Sequence, residues 1–171
     1  MKRGLISVLP RTTLPSLLIV GLCRSALAFP CPNVPCPLPG KDSQTFLTVD
    51  KVAPPIFHEL QRRFGDPPGN GIDMEARESD WQETDVTFEG DPVHSMRRFI
   101  QAGHDGSRWY VWYELGGIGY SIQIAIFDLP AGAQKPVLVI HTVAFDAKTL
   151  CPMTRDHLND PAEGPEDTLL W

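Results

Sequence analysis

Residues 96–130, MRRFIQAGHDGSRWYVWYELGGIGYSIQIAIFDLP, decide the fold. Two glycine-containing motifs within them, at Asp105-Gly106 and at Gly116-Gly117, are typical of tight hairpin turns. The stretches rich in apolar and aromatic residues around these turns predict four strands, near 96–103, 108–115, 118–128 and 137–145. Because consecutive strands joined by short turns pair antiparallel, this part of the chain predicts an antiparallel meander.

A helix is expected before the meander, at residues 55–64, PIFHELQRRF. Pro55 suits the first helical position, and Gly65 follows as a stop signal. Apolar residues recur at helical spacing along one face, namely Ile56, Phe57, Leu60 and Phe64. Residues 45–52 predict a short edge strand. We therefore expect an α+β fold, with one N-terminal helix packed on an antiparallel meander sheet of four or five strands.

The first 28 residues are typical of a secretory signal peptide. Basic residues at positions 2, 3 and 11 precede an apolar run that is too short to span a bilayer, and Ala26-Leu27-Ala28 is the small-x-small pattern before a cleavage site. The remainder divides into a Pro-rich extended arm at 29–44, a single α+β domain at 45–158 and a polar tail at 159–171. For this tail we expect disorder or loose docking.

The charge of the chain argues against two classes of partner. Residues 1–28 contain four basic residues and no acidic ones, so cleavage leaves 11 basic against 21 acidic residues, a net charge of −10. Such a protein repels phosphate backbones and anionic membrane surfaces. We therefore expect no nucleic-acid partner, no membrane insertion after signal cleavage, and an exported location that is either periplasmic or secreted.

Three cysteines remain after cleavage, at positions 31, 36 and 151. A thioredoxin-like site needs two intervening residues and a structural zinc site needs four ligands, so neither is favoured. In an oxidising compartment the expected product is a disulfide. We favour Cys36–Cys151, because local closure of Cys31 with Cys36 works against the extended angles that the intervening prolines impose. Local closure stays open as the alternative, and either pairing leaves one cysteine over.

If both turns have two-residue loops, the strand register follows by arithmetic. Ala102 then lies opposite Trp109 in the first hairpin, and Trp109 lies opposite Ile124 in the second. One sheet face is apolar and takes the helix, whereas the other carries aromatic rings beside amide groups. This second face predicts a binding surface formed by Phe99, Gln101, Tyr110, Trp112 and Gln123.

Two other interpretations of that face remain open. The Pro-rich arm or the C-terminal tail can cover Trp112 and Phe99. A slip of one residue in the register exchanges the two faces.

No catalytic motif stands out in the chain. It has no nucleophile elbow, no metalloprotease motif and no phosphate- or dinucleotide-binding loop, and we predict no catalytic residues, no metal site and no cofactor. Residues 66–91 carry nine carboxylates against one arginine, but their spacing does not match a calcium loop and predicts a solvated acidic face. A strand is expected near 83–89. His141, within the predicted fourth strand, is expected to be a hydrogen-bonded core residue.

These features favour an exported, small, non-catalytic binding protein that contacts a protein partner, in the manner of an inhibitor, through the aromatic and polar sheet face. One alternative is a small secreted hydrolase that uses carboxylates of residues 73–91. The other is a saccharide-binding module, because aromatic platforms flanked by hydrogen-bonding groups also suit sugar rings.

Overall fold

The computed structural model describes residues 31–65, 73–86, 89–90, 92 and 94–159. The predicted signal peptide and residues 160–171 of the predicted tail lie outside the described residues. The sheet has five strands in sequence order, all antiparallel, so the α+β meander is confirmed. The strands are β1 (Gln44–Phe46), β2 (Arg97–Asp105), β3 (Arg108–Leu115), β4 (Ser121–Asp128) and β5 (Val137–Ala144).

The expectation of one N-terminal helix is wrong. Helix α1 (Pro54–Phe64) follows β1, and a second helix, α2 (Leu150–Asn159), follows the sheet. Short 3-10 helices at Val49–Lys51 and Ala147–Thr149 lead into α1 and α2. The strand expected near 83–89 does not form at residues 83–86 or 89–90, the parts of it that the structure describes.

Helix α1 forms where its sequence predicts it. Two prolines occupy its first positions, where their missing N–H groups need no helical partner. Ile56 and Leu60, one turn apart, are fully buried. The helix ends at Gly65, whose N–H donates to the carbonyl of Gln61 at 2.8 Å. This apolar face fixes α1 on one side of the sheet.

Both faces of the sheet are covered by apolar layers. On the α1 face, Ile56 and Leu60 pack among Phe99, Val111 and Phe127. On the opposite face, residues from β3 and β4 pack with α2 and with part of the Pro-rich arm, and the main members of this layer are Tyr110, Trp112, Ile122, Ile124, Ile126, Leu150 and Leu158. The arm is therefore a packed element, with Val34 and Leu38 against this second layer.

The predicted register is wrong in both hairpins. In the first hairpin Ala102 pairs with Val111, and a bulge between Phe99 and Gln101 gives β2 one extra residue, Ile100. The second hairpin has a five-residue loop instead of a two-residue one, because Leu115 pairs with Ser121. An odd change in register moves every later side chain to the other face, so β4 presents isoleucines to α2 and not to α1.

A disulfide fastens the arm to α2. Cys36 and Cys151 are bridged with a Cα–Cα distance of 5.2 Å, so the favoured pairing is confirmed and Cys31 keeps a free thiol. A disulfide fits an oxidising, exported location. None of the helices in the described part of the chain is both long and apolar enough to cross a bilayer.

Candidate interaction site

The five residues predicted as a binding surface are all buried, so in this structure they do not form one. Gln101, Tyr110 and Trp112 do share a face, but α2 and the arm cover it. The indole Nε1 of Trp112 donates to Thr154 Oγ1 of α2 at 2.8 Å. The structure therefore shows Trp112 covered by other segments of the same chain, which was one of the open interpretations of this face.

The other two members lie on the opposite face. Phe99 packs in the α1 layer, because the bulge at Ile100 shifts it by one position. Gln123 pairs with Tyr113 and is buried, since the five-residue loop inverts β4. Gln101 remains on the Trp112 face, where its amide donates to the Tyr110 hydroxyl at 2.7 Å. These amides are structural hydrogen-bonding groups rather than ligand contacts.

The exposed apolar surface lies instead at one end of the sheet, around the β3–β4 loop. We call Met96, Ile118 and Tyr120 the apolar tip. Ile118 is 97% exposed, Tyr120 is 47% exposed, and Met96 directly precedes β2. Large exposed apolar side chains that lie together are typical of interaction sites, whereas single ones are not informative.

The base of the loop is fixed by its backbone. The N–H of Gly116 donates to the carbonyl of Met96 at 2.8 Å, and that of Gly117 donates to Glu83 at 3.0 Å. Gly116 permits this approach, because a Cβ there would lie 2.4 Å from the carbonyl oxygen of Gln82. The loop therefore projects Ile118 from a held base.

Buried polar groups beneath the tip hold Tyr120. Arg98 Nε donates to Glu114 Oε2 at 2.6 Å, and the Tyr120 hydroxyl donates to Glu114 Oε1 at 2.8 Å. The Arg98 guanidinium lies 4.8 Å from the ring centre of Trp81, which in turn lies 6.3 Å from the ring centre of Tyr120. The four side chains thus form a closed ring of contacts. Arg98 lies opposite Glu114 in the strand register, on the far side of the bulge from the β2–β3 turn.

The surroundings of Tyr120 and Arg98 shift the pKa values of both groups upward. Burial raises the pKa of Tyr120, and its hydrogen bond to Glu114 raises it further, so the hydroxyl stays a donor. Burial lowers the pKa of Arg98, but the hydrogen bond and charge of Glu114 outweigh it and keep that pKa above its ordinary value. Neither the Tyr120 hydroxyl nor the Arg98 guanidinium is therefore suited to proton transfer near neutral pH.

Cys31 is the free thiol of the described chain, and its surroundings make it unreactive. Its Sγ lies 3.9 Å from the Phe99 carbonyl oxygen, and Arg77 holds the neighbouring Pro32 carbonyl at 2.8 Å. Burial raises the pKa of the Cys31 thiol to about 11, although the nearby Arg77 lowers it. Because the thiolate is the nucleophile, Cys31 is poorly suited to covalent catalysis.

His141 is placed for structure and not for catalysis. Its Nε2 lies 3.1 Å from the Tyr113 hydroxyl, and the ring of Phe64 stacks on it with centroids 4.0 Å apart. Burial lowers the pKa of His141 to about 4, so the imidazole is neutral at pH 7. The prediction that it is a hydrogen-bonded core histidine agrees with this geometry.

An open cleft of about 560 Å³ lies beside the N-terminal half of α1. Its carboxylate, Glu59, already accepts hydrogen bonds from Arg62 and Arg63. The cleft includes none of the acidic residues of 73–91, and the described residues contain no group of three or more His, Cys, Asp or Glu that could hold a metal. The cleft therefore gives no support to hydrolysis. Its lining comprises Pro54, Pro55, His58, Glu59, Arg62, Gln134, Lys135 and Pro136.

The sequence contains an indication of the apolar tip, but the expectation of a two-residue turn places the residues of the tip in a strand. The expected third strand, 118–128, includes Ile118 and Tyr120, yet Ile118 lies between two glycines and Tyr120 follows one, in GGIGY. A glycine-rich loop of five residues carrying two large apolar side chains is a sign of an exposed contact.

Comparison with known proteins adds no information on function. No protein-family model, no curated protein and no solved structure matches this chain.

Proposed function

We propose that this chain is an exported, non-catalytic binding protein that recognises a protein partner by inserting its apolar tip into an apolar pocket. The observation that carries the proposal is Ile118, almost fully exposed on a loop whose base is hydrogen-bonded to its neighbours. We keep the binding function expected from the sequence, but we place the binding surface at the end of the sheet and not on the covered sheet face.

The energetics favour such a contact. Burying an isoleucine side chain contributes about 1.5–3 kcal/mol. Tyrosine is enriched among the residues that dominate binding energy, and Tyr120 is already oriented by Glu114. Because the loop base and Tyr120 are held before binding, little conformational entropy is lost on association. An exposed loop on a rigid sheet is also the way in which an inhibitor presents an anchor residue.

The alternatives receive less support from the described residues. The saccharide hypothesis needed the Tyr110 and Trp112 rings as a platform, and both are buried. The hydrolase hypothesis needed carboxylates in a pocket, and Glu75 instead accepts a hydrogen bond from the Ser95 N–H at 3.3 Å. Neither alternative has an observation in its favour.

Affinity capture with matched variants tests the proposal. The mature chain, immobilised, is exposed to envelope and culture-medium fractions of the source cells, alongside Ile118→Asn and the control Leu47→Asn. Leu47 is 50% exposed and follows β1, away from the tip. Both changes should alter the free energy of unfolding by less than about 0.5 kcal/mol.

The expected result is one protein captured by the unmodified chain and by Leu47→Asn, and at least tenfold less of it captured by Ile118→Asn. The captured protein, once purified, should show the same difference in dissociation constant by calorimetry. Equal capture by all three chains would remove the apolar tip as the recognition surface. Turnover of a glycan or peptide substrate, lost when an acid of 73–91 is changed to its amide, would favour the hydrolase.

A further inference from the structure

Among the described residues, the last strand has a long edge on which no further strand is paired. In the strand order β5 pairs only with β4, and its eight residues, VLVIHTVA, include no proline and no charged side chain. The opposite edge is the three-residue β1. Apart from those to β4, the backbone groups of β5 make no hydrogen bonds to other backbone groups within the described chain. Such an edge presents unpaired N–H and C=O groups to another strand, and charges or prolines usually protect it.

A bulge determines which part of β5 can accept a strand. Ile126 pairs with Ile140 and Phe127 pairs with Leu138, so Val139 is the extra residue. A bulge bends the strand and interrupts its ladder of hydrogen bonds. The regular part of the free edge is therefore Ile140–Ala144, whose midpoint is Thr142.

We infer that β5 pairs antiparallel with β5 of a second copy of this chain, about a two-fold axis at Thr142, to form a continuous ten-stranded sheet. Residues opposite each other in an antiparallel pair point to the same face, so the axis passes through a residue and not between two. Thr142 then lies opposite Thr142 of the second copy, and Ile140 lies opposite Ala144 of the second copy. Cross-strand Thr–Thr pairs are favourable.

The same register places the most exposed aromatic side chain of the described residues at the border of the interface. Phe145, directly after β5, is 93% exposed in the single chain. In the two-fold pairing it directly follows the paired segment Ile140–Ala144 and lies next to the second copy. Because the pairing strand has no charge, two copies meet there without direct repulsion. The net negative charge elsewhere opposes association, so added salt should strengthen the dimer.

This inference does not rest on the proposed function, because the apolar tip and the β5 edge share no residue. A cross-linking experiment tests the register directly. Thr142→Cys is prepared in a Cys31→Ser background, beside the control Gln44→Cys on the β1 edge. Opposed Cα atoms in antiparallel strands lie about 4.5–5.5 Å apart, within the range that a disulfide spans. Mild oxidation should give a covalent dimer with Thr142→Cys and not with Gln44→Cys.

Sedimentation equilibrium tests the interface without a cross-link. The unmodified mature chain should show a reversible monomer–dimer equilibrium. Thr142→Lys, which places two like charges at the axis, and Phe145→Ser should each raise the dimer dissociation constant at least tenfold. Ile118→Asn should leave it unchanged.

Three results would overturn the inference. One is a chain that stays monomeric while the edge amides of Ile140–Ala144 exchange rapidly, which would show an open edge. Another is a monomer in which these amides are protected, which would show that the chain covers its own edge. The third is a dimer that survives Thr142→Lys, which would place the interface on another surface.

Discussion

Trp112 shows how the environment of one residue decides between a binding role and a structural one. Its polar and aromatic neighbours suggest a recognition face, but its Nε1 already has a partner in Thr154 and its ring is fully buried. The layer over Trp112 comes from α2 and the arm. The helical pattern of residues 150–159 is weak, so the sequence did not predict that a helix covers Trp112.

Replacement of Trp112 is therefore expected to affect folding. Trp112→Ala should lower the free energy of unfolding by about 3–5 kcal/mol, because it leaves a large cavity in a packed layer. Urea denaturation followed by circular dichroism measures the change, and Ile118→Asn serves as the exposed control. A midpoint equal to that of the unmodified chain would show that Trp112 is not packed.

Cys31 gives a second prediction at this scale. Its pKa of about 11, against 9.0 for a free thiol, lowers the thiolate fraction about 100-fold. Alkylation of the folded protein at pH 8 should therefore be at least tenfold slower than alkylation of the same chain in urea. Mass spectrometry of the labelled peptide follows both rates. Equal rates would mean that the arm does not hold the thiol against β2.

Among the elements, those with local signals were predictable from the sequence. Prolines, one apolar face and a stopping glycine define α1, and the Asp105-Gly106 motif marks the β2–β3 turn. The bulge at Ile100 and the five-residue loop were not predictable, because both depend on distant segments. Gly116 packs against the carbonyl of Gln82, and Phe99 donates its N–H to Glu75, both outside the hairpins. The five predicted site residues are divided between the two faces for this reason, since their placement depended on the register.

The buried contact between Phe64 of α1 and His141 of β5 predicts that the stability of the fold depends on pH. Burial lowers the pKa of His141 from 6.5 to about 4, so the unfolded chain binds a proton before the folded one does. This contribution to stability is present above pH 6.5 and is lost as the pH falls toward 4. The expected loss between pH 7 and pH 5 is about 2 kcal/mol.

Denaturant titrations of the unmodified chain and of His141→Gln at these two pH values measure the loss. The variant should lack this component, since glutamine does not titrate there. The hydrogen bond from Arg62 holds the pKa of Glu59 at about 2, against 4.5, so its own contribution is lost only below pH 4.5, outside this window. A variant as sensitive to pH as the unmodified chain would rule out His141 as the cause.

At the scale of the whole molecule, both faces of the sheet are covered, so neither face is open to a partner. Helix α1 covers one face, and α2 with the arm covers the other. The large exposed apolar side chains that remain include Ile118 at one end of the sheet and Phe145 beside its open edge. The two contact surfaces that we propose therefore lie on the perimeter of the sheet.

The disulfide gives a prediction at the same scale. Cys36 and Cys151 are separated by 115 positions, so the bridge restricts most of the chain when it is unfolded. Cys36→Ala combined with Cys151→Ala should lower the free energy of unfolding by about 5 kcal/mol in the chain-entropy model. Denaturant titration provides the value, with Cys31→Ser as the control. A loss below 1 kcal/mol would show that the arm and α2 stay docked without the bond.

The bridge also determines how the molecule would respond to mechanical tension. Cys36 precedes β1 and Cys151 follows β5, so every strand lies within the covalent loop that they close. A pull applied to the chain outside the two cysteines is carried by the S–S bond and bypasses the sheet. The strands experience no load until that bond is reduced, and stretching the oxidised protein from its two ends should extend only the segments outside the loop.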